Sequence, residues 1–279
     1  NKLSIKISGS YGLLNQFGQK LTELMYLKLN HSFIQSINDL GSNFKNLKIL
    51  QMNQCKLKDL SGIICFECLE VFEAKNNQIS DLIELEMCTS LKKLDFSSFK
   101  TDNVRNMSRM FEGCTDLSSL DLSSFNTKNV EDMYKMFEFT RLTNLDLSNF
   151  ETPKVTNMED MFSEMKNLRK LNIEKFDTSK VTTMGGMFYL NERLGEINFP
   201  RGFKTNNVVD FQFMFLGCKL LTSIDVSFFD TSSSDDMSFM FRECLSLKTL
   251  DVRKFDTTKV TDMSSMFADC EQLTDIDVS

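Results

Sequence analysis

The residues able to do chemistry in this 279-residue chain are eight cysteines, a single histidine and a long series of aspartates. Cys65-x-x-Cys68 has the spacing of half a zinc site or of a redox dithiol. No second pair and no histidine lies nearby in sequence, and Cys68 abuts the leucine that opens a repeat, so packing is the expected role. Cys114, Cys218, Cys244 and Cys270 recur at one position of a repeating unit, where buried free thiols serve as small apolar groups. They are expected to be reduced, which favours an intracellular compartment. His31 is read as a strand-edge surface residue with nothing beside it to complete a catalytic set. A Gly-rich phosphate loop, Gly-x-Ser-x-Gly and His-Glu-x-x-His are all missing from the sequence. No catalytic residue, metal ligand or cofactor is therefore assigned, and a non-enzyme is expected.

The elements that position these groups follow from self-similarity, which has to be sought first because a missed period mis-assigns the fold. From Leu91 the chain repeats every 25–27 residues, restarting at Leu117, Leu142, Leu168, Leu194, Leu221, Leu247 and Leu273. Each unit reads approximately L-x-x-L-D-x-S-x-F-x-T-x-x-V-x-x-M-x-x-M-F-x-x-C. Thirteen of the 17 Met occupy two columns of it and 14 of the 26 Phe occupy two others, as expected for residues filling a core. The opening, as in Leu117, Leu120 and Leu122, alternates like a half-buried strand. The closing half, as in Val104, Met107, Met110, Phe111 and Cys114, has the spacing of a short amphipathic helix. Thr152-Pro153 fits the start of such a helix, with Thr as cap and Pro in the first turn.

Upstream the period shortens to 22–23 residues, from Leu24 through Leu47 and Leu69 to Leu91, and residues 3–23 read as a degenerate first unit. Cys55 and Asn77 fall where leucine-rich repeats bury an Asn or Cys to satisfy turn backbone groups. The expected fold is thus an α/β leucine-rich-repeat solenoid, a horseshoe with a parallel concave sheet of about twelve strands and short convex helices. Its two segments are residues 1–90 and 91–279, continuous with one another. The unit from Leu194 is irregular: it inserts a residue near Pro200-Arg201-Gly202, carries Asn198 in place of Asp, and replaces a core Met by Phe211.

Two resemblances refine this reading. Leu120-Asp121-Leu122-Ser123-Ser124-Phe125-Asn126-Thr127 and Val260-Thr261-Asp262-Met263-Ser264-Ser265-Met266-Phe267 resemble BspA-type leucine-rich repeats, common in bacterial and protist proteins and often found in surface or adhesion proteins. Asp39-Leu40-Gly41, Cys55-Lys56-Leu57-Lys58-Asp59-Leu60-Ser61-Gly62-Ile63 and Asn76-Asn77-Gln78-Ile79 are similar to the ciliary leucine-rich-repeat family of outer-dynein-arm assembly and transport. The first resemblance covers residues 91–279 and implies an adhesion surface. The second covers residues 3–90 and implies an adaptor in the cilium or axoneme.

Charge narrows the partners. The net charge is −7, all of it within residues 91–279, which argues against nucleic acid and against an anionic membrane surface. No apolar run approaches the roughly 18 residues of a membrane span, so no insertion is expected. The candidate binding face is the fifth position of each strand: Lys28, Gln51, Glu73, Asp95, Asp121, Asp146, Asn172, Asn198, Asp225, Asp251 and Asp277. Its carboxylates could receive a basic partner protein or cations, or could simply bond to the neighbouring Ser and Thr; the second reading is preferred. Lys93, Lys170 and Arg253 would relieve repulsion along the row. The chain closes on a strand without a cap, so it is expected to continue or to dock a partner at that C-terminal edge. A non-catalytic protein–protein interaction scaffold in the cytoplasm or cilium is the expected function, with a cell-surface adhesin as the alternative.

Overall fold

The computed structural model describes residues 1–8, 19–79, 82–86, 88–95 and 101–277. It comprises two compact units, one built from Asn1–Val104 with Met110–Asn126 and the other from Arg105–Arg109 with Thr127–Ser279. Each is a stack of coils carrying a parallel sheet, a β-solenoid.

In the first unit, six three-residue strands pair in chain order. They are β1 (Lys2–Ser4), β2 (Tyr26–Lys28), β3 (Ile49–Gln51), β4 (Val71–Glu73), β5 (Lys93–Asp95) and β6 (Ser119–Asp121). The central residues Leu27, Leu50, Phe72 and Leu94 point into the core and are at most 3% exposed. Their neighbours point outward, the alternation that the leucine spacing requires. The chain returns through short 3-10 turns at Ile37–Leu40, Ile63–Cys65 and Ile83–Leu85. Ser36 and Asp39 close the first as a reciprocal capping box. Asp59 Oδ1 accepts from Ser61 N–H and from Ser36 Oγ, tying consecutive turns together. Gly62 has φ 95°, and a Cβ there would press on Asn38 Oδ1, so the turn favours glycine. The Asp-Leu-Gly and Asp-Leu-x-Gly motifs are therefore turn chemistry.

Asn77 holds these coils together from inside. Its Oδ1 accepts from the N–H groups of Cys55 and Leu57 at 3.0 and 3.1 Å. Its Nδ2 donates to the carbonyls of Met52 and Ala74 at 2.8 and 2.7 Å. Cys55 extends the ladder, its Sγ donating to Leu29 O at 3.0 Å. The expectation for this pair holds.

The second unit contains β7 (Asn144–Asp146) paired with β8 (Lys170–Asn172), and β9 (Thr249–Asp251) paired with β10 (Asp275–Asp277). Residues 196–198 and 223–225, also expected as strands, form none, so the described residues hold ten strands in three sheets. The irregular unit explains the gap. Phe199 stands where Leu122, Leu147, Ile173, Val226 and Val252 occupy the same position of neighbouring coils, and it stays half-buried against Phe203, whose ring centroid is 4.4 Å away. Pro200 has no N–H to give.

The expected convex helices are not there. No residue of 101–277 is helical, and the Met-x-x-Met-Phe half of each coil is instead a run of turns bonded to the next coil. Lys135, Phe137 and Phe139 donate their N–H groups to the carbonyls of Glu159, Met161 and Ser163 at 3.0–3.1 Å. The N–H groups of Met136 and Glu138 stay local, bonding three residues back. A residue of positive φ every fourth position makes this alternation: Lys135 and Phe139, Asp160 and Glu164, Phe239 and Glu243. Left-handed backbone costs about 1–2 kcal/mol per non-glycine residue, which the added inter-coil bonds offset at about 1 kcal/mol each. An α-helix would keep every N–H to itself and forgo the second ladder.

Thr152 likewise caps no helix. Its Oγ1 donates to Asp177 O and accepts from Asp177 N–H, at 2.8 and 2.9 Å, and Thr127, Thr178, Thr205 and Thr231 make the same donation to their next coils. The Met and Phe columns do form the core. Phe137, Phe162, Phe188, Phe215, Phe241 and Phe267 stack ring on ring at 5.3–5.9 Å.

Candidate partner-binding face

The parallel register brings several of the eleven expected positions side by side. Lys28 pairs with Gln51, Gln51 with Glu73, Glu73 with Asp95, and Asp95 with Asp121. In the second unit Asp146 pairs with Asn172 and Asp251 with Asp277, the last placed by its backbone alone. Asn198 and Asp225 lie outside any strand. Lys28, Gln51, Glu73, Asp95 and Asp251 are half-buried, while Asp121, Asp146, Asn172, Asn198 and Asp225 are exposed.

The early part of the face is internally bonded. Tyr26 Oη donates to Gln51 Oε1 at 2.7 Å, and Gln51 Nε2 donates to Glu73 Oε2 at 2.8 Å. Lys75 pairs with Asp95 at 2.9 Å. Farther along, each acidic side chain spends Oδ1 on its own turn. Asp121, Asp146 and Asp225 accept the N–H groups of Ser123, Ser148 and Ser227 at 3.0 Å, and Asn172 accepts that of Glu174 at 3.2 Å. The local-bonding reading of the Asp column is thus realised in its geometry. The hydrogen bonds from Ser123 hold the Asp121 carboxyl below its ordinary range. Arg253 grips Asp251 with Nε and Nη2, at 3.0 and 2.7 Å, and lowers its pKa to about 2. Among the described residues, Asp121, Asp146 and Asp225 form no ion pair, so net negative charge remains on the face. Two clefts open where the ladder is interrupted. One of about 660 Å³ is lined by Asn172, Glu174, Asn198, Phe199 and Arg201, and one of about 500 Å³ by Asp225, Ser227, Asp251 and Asp275.

A second polar column, not singled out from the sequence although it repeats there, runs along the turn side. Asp132, Asn157, Asp210, Asp236 and Asp262 bridge from coil to coil, each accepting the N–H two residues on. Burial raises the Asp210 carboxyl above its ordinary value. On the same turn side, Lys135 bonds Glu138 and Asp160 at 3.0 and 3.5 Å. Burial opposes the ammonium charge, but its two carboxylates prevail and raise the pKa to about 12.

The cysteines divide by environment. Cys114, Cys218, Cys244 and Cys270 each donate Sγ–H to a carbonyl of an earlier coil, at 3.0–3.6 Å. Asn191 does the same with Nδ2 towards Phe162 O, which explains why the column accepts a residue other than cysteine. Burial pushes the Cys114 and Cys218 thiols up from 9.0 to about 12. A pKa raised on folding contributes stability that is complete below pH 9 and is lost as pH rises towards 12. Stability is therefore expected to fall between pH 9 and 11. Cys218→Ala should flatten that slope by about 1.4 kcal/mol per pH unit, read from urea midpoints along the pH series. An unchanged slope would refute the buried-thiol account. Cys65 and Cys68 differ from the packing expected of them: both are exposed, because Phe66 between them takes the inward position. His31 is exposed, as expected.

Among the described residues, no helix is long and apolar enough to cross a membrane, and no group of three His, Cys, Asp or Glu is placed to hold a metal ion. The family described as "Mycoplasma protein of unknown function, DUF285" matches residues 77–199, 137–223 and 196–278. Leucine-rich repeat-containing protein 56 of Rattus norvegicus is 38% identical over 97 residues, 35% of this chain. A homolog of that protein in Trypanosoma brucei brucei is 33% identical over 89 residues, 31% of this chain. The match spans only 17% of the rat protein's length and 12% of the trypanosome protein's. Among solved structures, a leucine-rich repeat protein from Bacteroides ovatus aligns with 87% of this chain and 58% of its own, at 16% identity and TM-score 0.47. A leucine rich cell surface protein from Faecalibacterium prausnitzii aligns with 98% and 82%, at 16% identity and TM-score 0.44.

Proposed function

The chain belongs to the DUF285 family and is a leucine-rich-repeat protein, and from that we propose that it is a non-catalytic scaffold or adaptor that binds partner proteins along its sheet face. The observation that carries the reading is the in-register outward side chains within each unit, Glu73, Asp95 and Asp121 in the first and Asp146 with Asn172 in the second, with Asp121 and Asp146 outside any described ion pair. A row of this kind suits a basic protein surface and repels an acidic one. The two repeat segments, residues 1–90 and 91–279, would supply different parts of the surface, one internally neutralised and the other acidic.

The setting proposed is the cilium or the cytoplasm, on the likeness of part of the chain to leucine-rich repeat-containing protein 56 and of the quoted motifs to the dynein-arm assembly family. The second reading is a cell-surface adhesin. It is favoured by the larger share of the chain, residues 77–278, that carries the DUF285 repeats. Protease treatment of intact cells followed by axonemal fractionation separates the two. Protection with axonemal co-fractionation supports the adaptor, and cleavage at the cell surface supports the adhesin.

For the face itself, the combined Asp121→Asn, Asp146→Asn, Asp225→Asn and Asp251→Asn variant keeps an acceptor oxygen for each local turn. Folding, followed by circular dichroism, should therefore be unchanged, while affinity for a partner captured by the wild-type chain drops about tenfold, the loss shrinking in high salt. Equal capture by the variant would overturn the acidic-face reading.

A further inference from the structure

We propose that Cys65 and Cys68 are an oxidisable dithiol, which closes into an intrachain disulfide while the other six thiols stay reduced. The partition is geometric. Cys55, Cys88, Cys114, Cys218, Cys244 and Cys270 are buried or half-buried, and each donates Sγ–H to a backbone carbonyl. Cys65 and Cys68 are exposed and make no such bond.

The segment between them is anchored. Phe66 is 3% exposed and meets Phe44 edge-on, with ring centroids 6.2 Å apart. Its N–H donates to Ile63 O at 3.0 Å, and its carbonyl accepts from Leu69 N–H at 2.9 Å. The two thiols thus lie on the outside of the coil with two residues between them, and the first of these, Phe66, is held inward. Lys48, bonded to Glu70 at 2.7 Å, brings a cation within electrostatic reach of Cys68.

With glutathione disulfide as oxidant, the thiolate of Cys65 or Cys68 attacks one of its sulfurs and releases one glutathione, leaving a mixed disulfide on the protein. The second cysteine, as thiolate, attacks the protein sulfur of that mixed disulfide and expels the second glutathione. Two protein thiols are oxidised and one glutathione disulfide is reduced to two thiols, so hydrogens and electrons balance. A lasting metal site is disfavoured by the lack, among the described residues, of a group of three His, Cys, Asp or Glu placed to hold a metal ion.

The test uses the whole chain, incubated with glutathione disulfide, quenched in acid, then denatured and alkylated. Trypsin releases Asp59–Lys75, which contains both cysteines and no others. That peptide should appear two hydrogens lighter than the reduced form, with neither alkyl nor glutathionyl groups, while the other six cysteines are alkylated. Cys68→Ser should trap a glutathionyl group on Cys65, because ring closure is then impossible. Two alkylated thiols, two independent glutathionyl groups or a bridge between chains would each overturn the proposal.

Discussion

Replacing Asn77 with alanine is expected to cost the first unit about 4 kcal/mol, because four backbone groups lose their partner at once. Asn77 is 6% exposed, and its amide accepts two N–H groups from the preceding coil and donates to two carbonyls. A buried donor or acceptor left unmatched costs about 1–3 kcal/mol, and water entering the vacated space would recover part of the total. Amide exchange locates the effect: the Cys55 and Leu57 amides should lose most of their protection, whereas amides of residues 205–245 keep theirs. Asn77→Asp separates the two halves of the network, since a carboxylate still accepts from Cys55 and Leu57 but faces the Met52 and Ala74 carbonyls without a donor. It should be destabilising at neutral pH and partly restored as pH falls and the carboxyl gains a proton. A loss below 1 kcal/mol for Asn77→Ala would mean that water already serves these groups.

The second large effect is expected at Phe188, where truncation to alanine should remove about 3–5 kcal/mol from the second unit. Phe188 is fully buried, stacked on Phe162 and Phe215 at 5.7 and 5.6 Å, and met edge-on by Phe199 at 6.3 Å. Removing the ring leaves a cavity that regularly spaced coils cannot close, since the turn ladders on either side fix the distance between neighbours. Phe267→Ala is the internal control. Phe267 is half-buried and stacks on Phe241 alone, so its truncation should cost less than half as much. Urea midpoints, with exchange rates in residues 158–216, measure both. Equal costs at the two positions would show that the stack contributes no more than ordinary burial.

Much of this architecture was legible as spacing. The restart of Leu at each period marked the opening half of each coil as strand, and nine of the ten strands, β2 to β10, lie in those openings. The roles of Cys55 and Asn77 were also legible, since few residues can satisfy several buried backbone groups from one side chain. The outward position of the Asp column followed from the same alternation, and so did the core placement of the Met and Phe columns.

The turn ribbon was not legible. Val130, Met133, Met136 and Phe137 have a spacing that an α-helix and a string of turns share, because both put every third or fourth residue on one side. What distinguishes them is the partner of the N–H groups of Lys135, Phe137 and Phe139, and those partners lie about 24 residues farther on. Local propensity cannot register an acceptor that exists only once the next coil has formed. Cys65 and Cys68 were misjudged for a related reason. The sequence shows a pair beside a leucine, but only the packed coil shows that Phe66 holds the inward place and leaves both thiols outside.

For this protein, then, sequence by itself determined the repeat, its phase and the identity of the core columns, all of which are properties of a single coil. The tertiary structure decided how the backbone between those columns is hydrogen-bonded, where the ladder breaks at the Phe199–Pro200 coil, and which thiols meet solvent. Those outcomes depend on contacts between coils, where the free energy of a turn, a bridge or an exposed side chain is set by its neighbour.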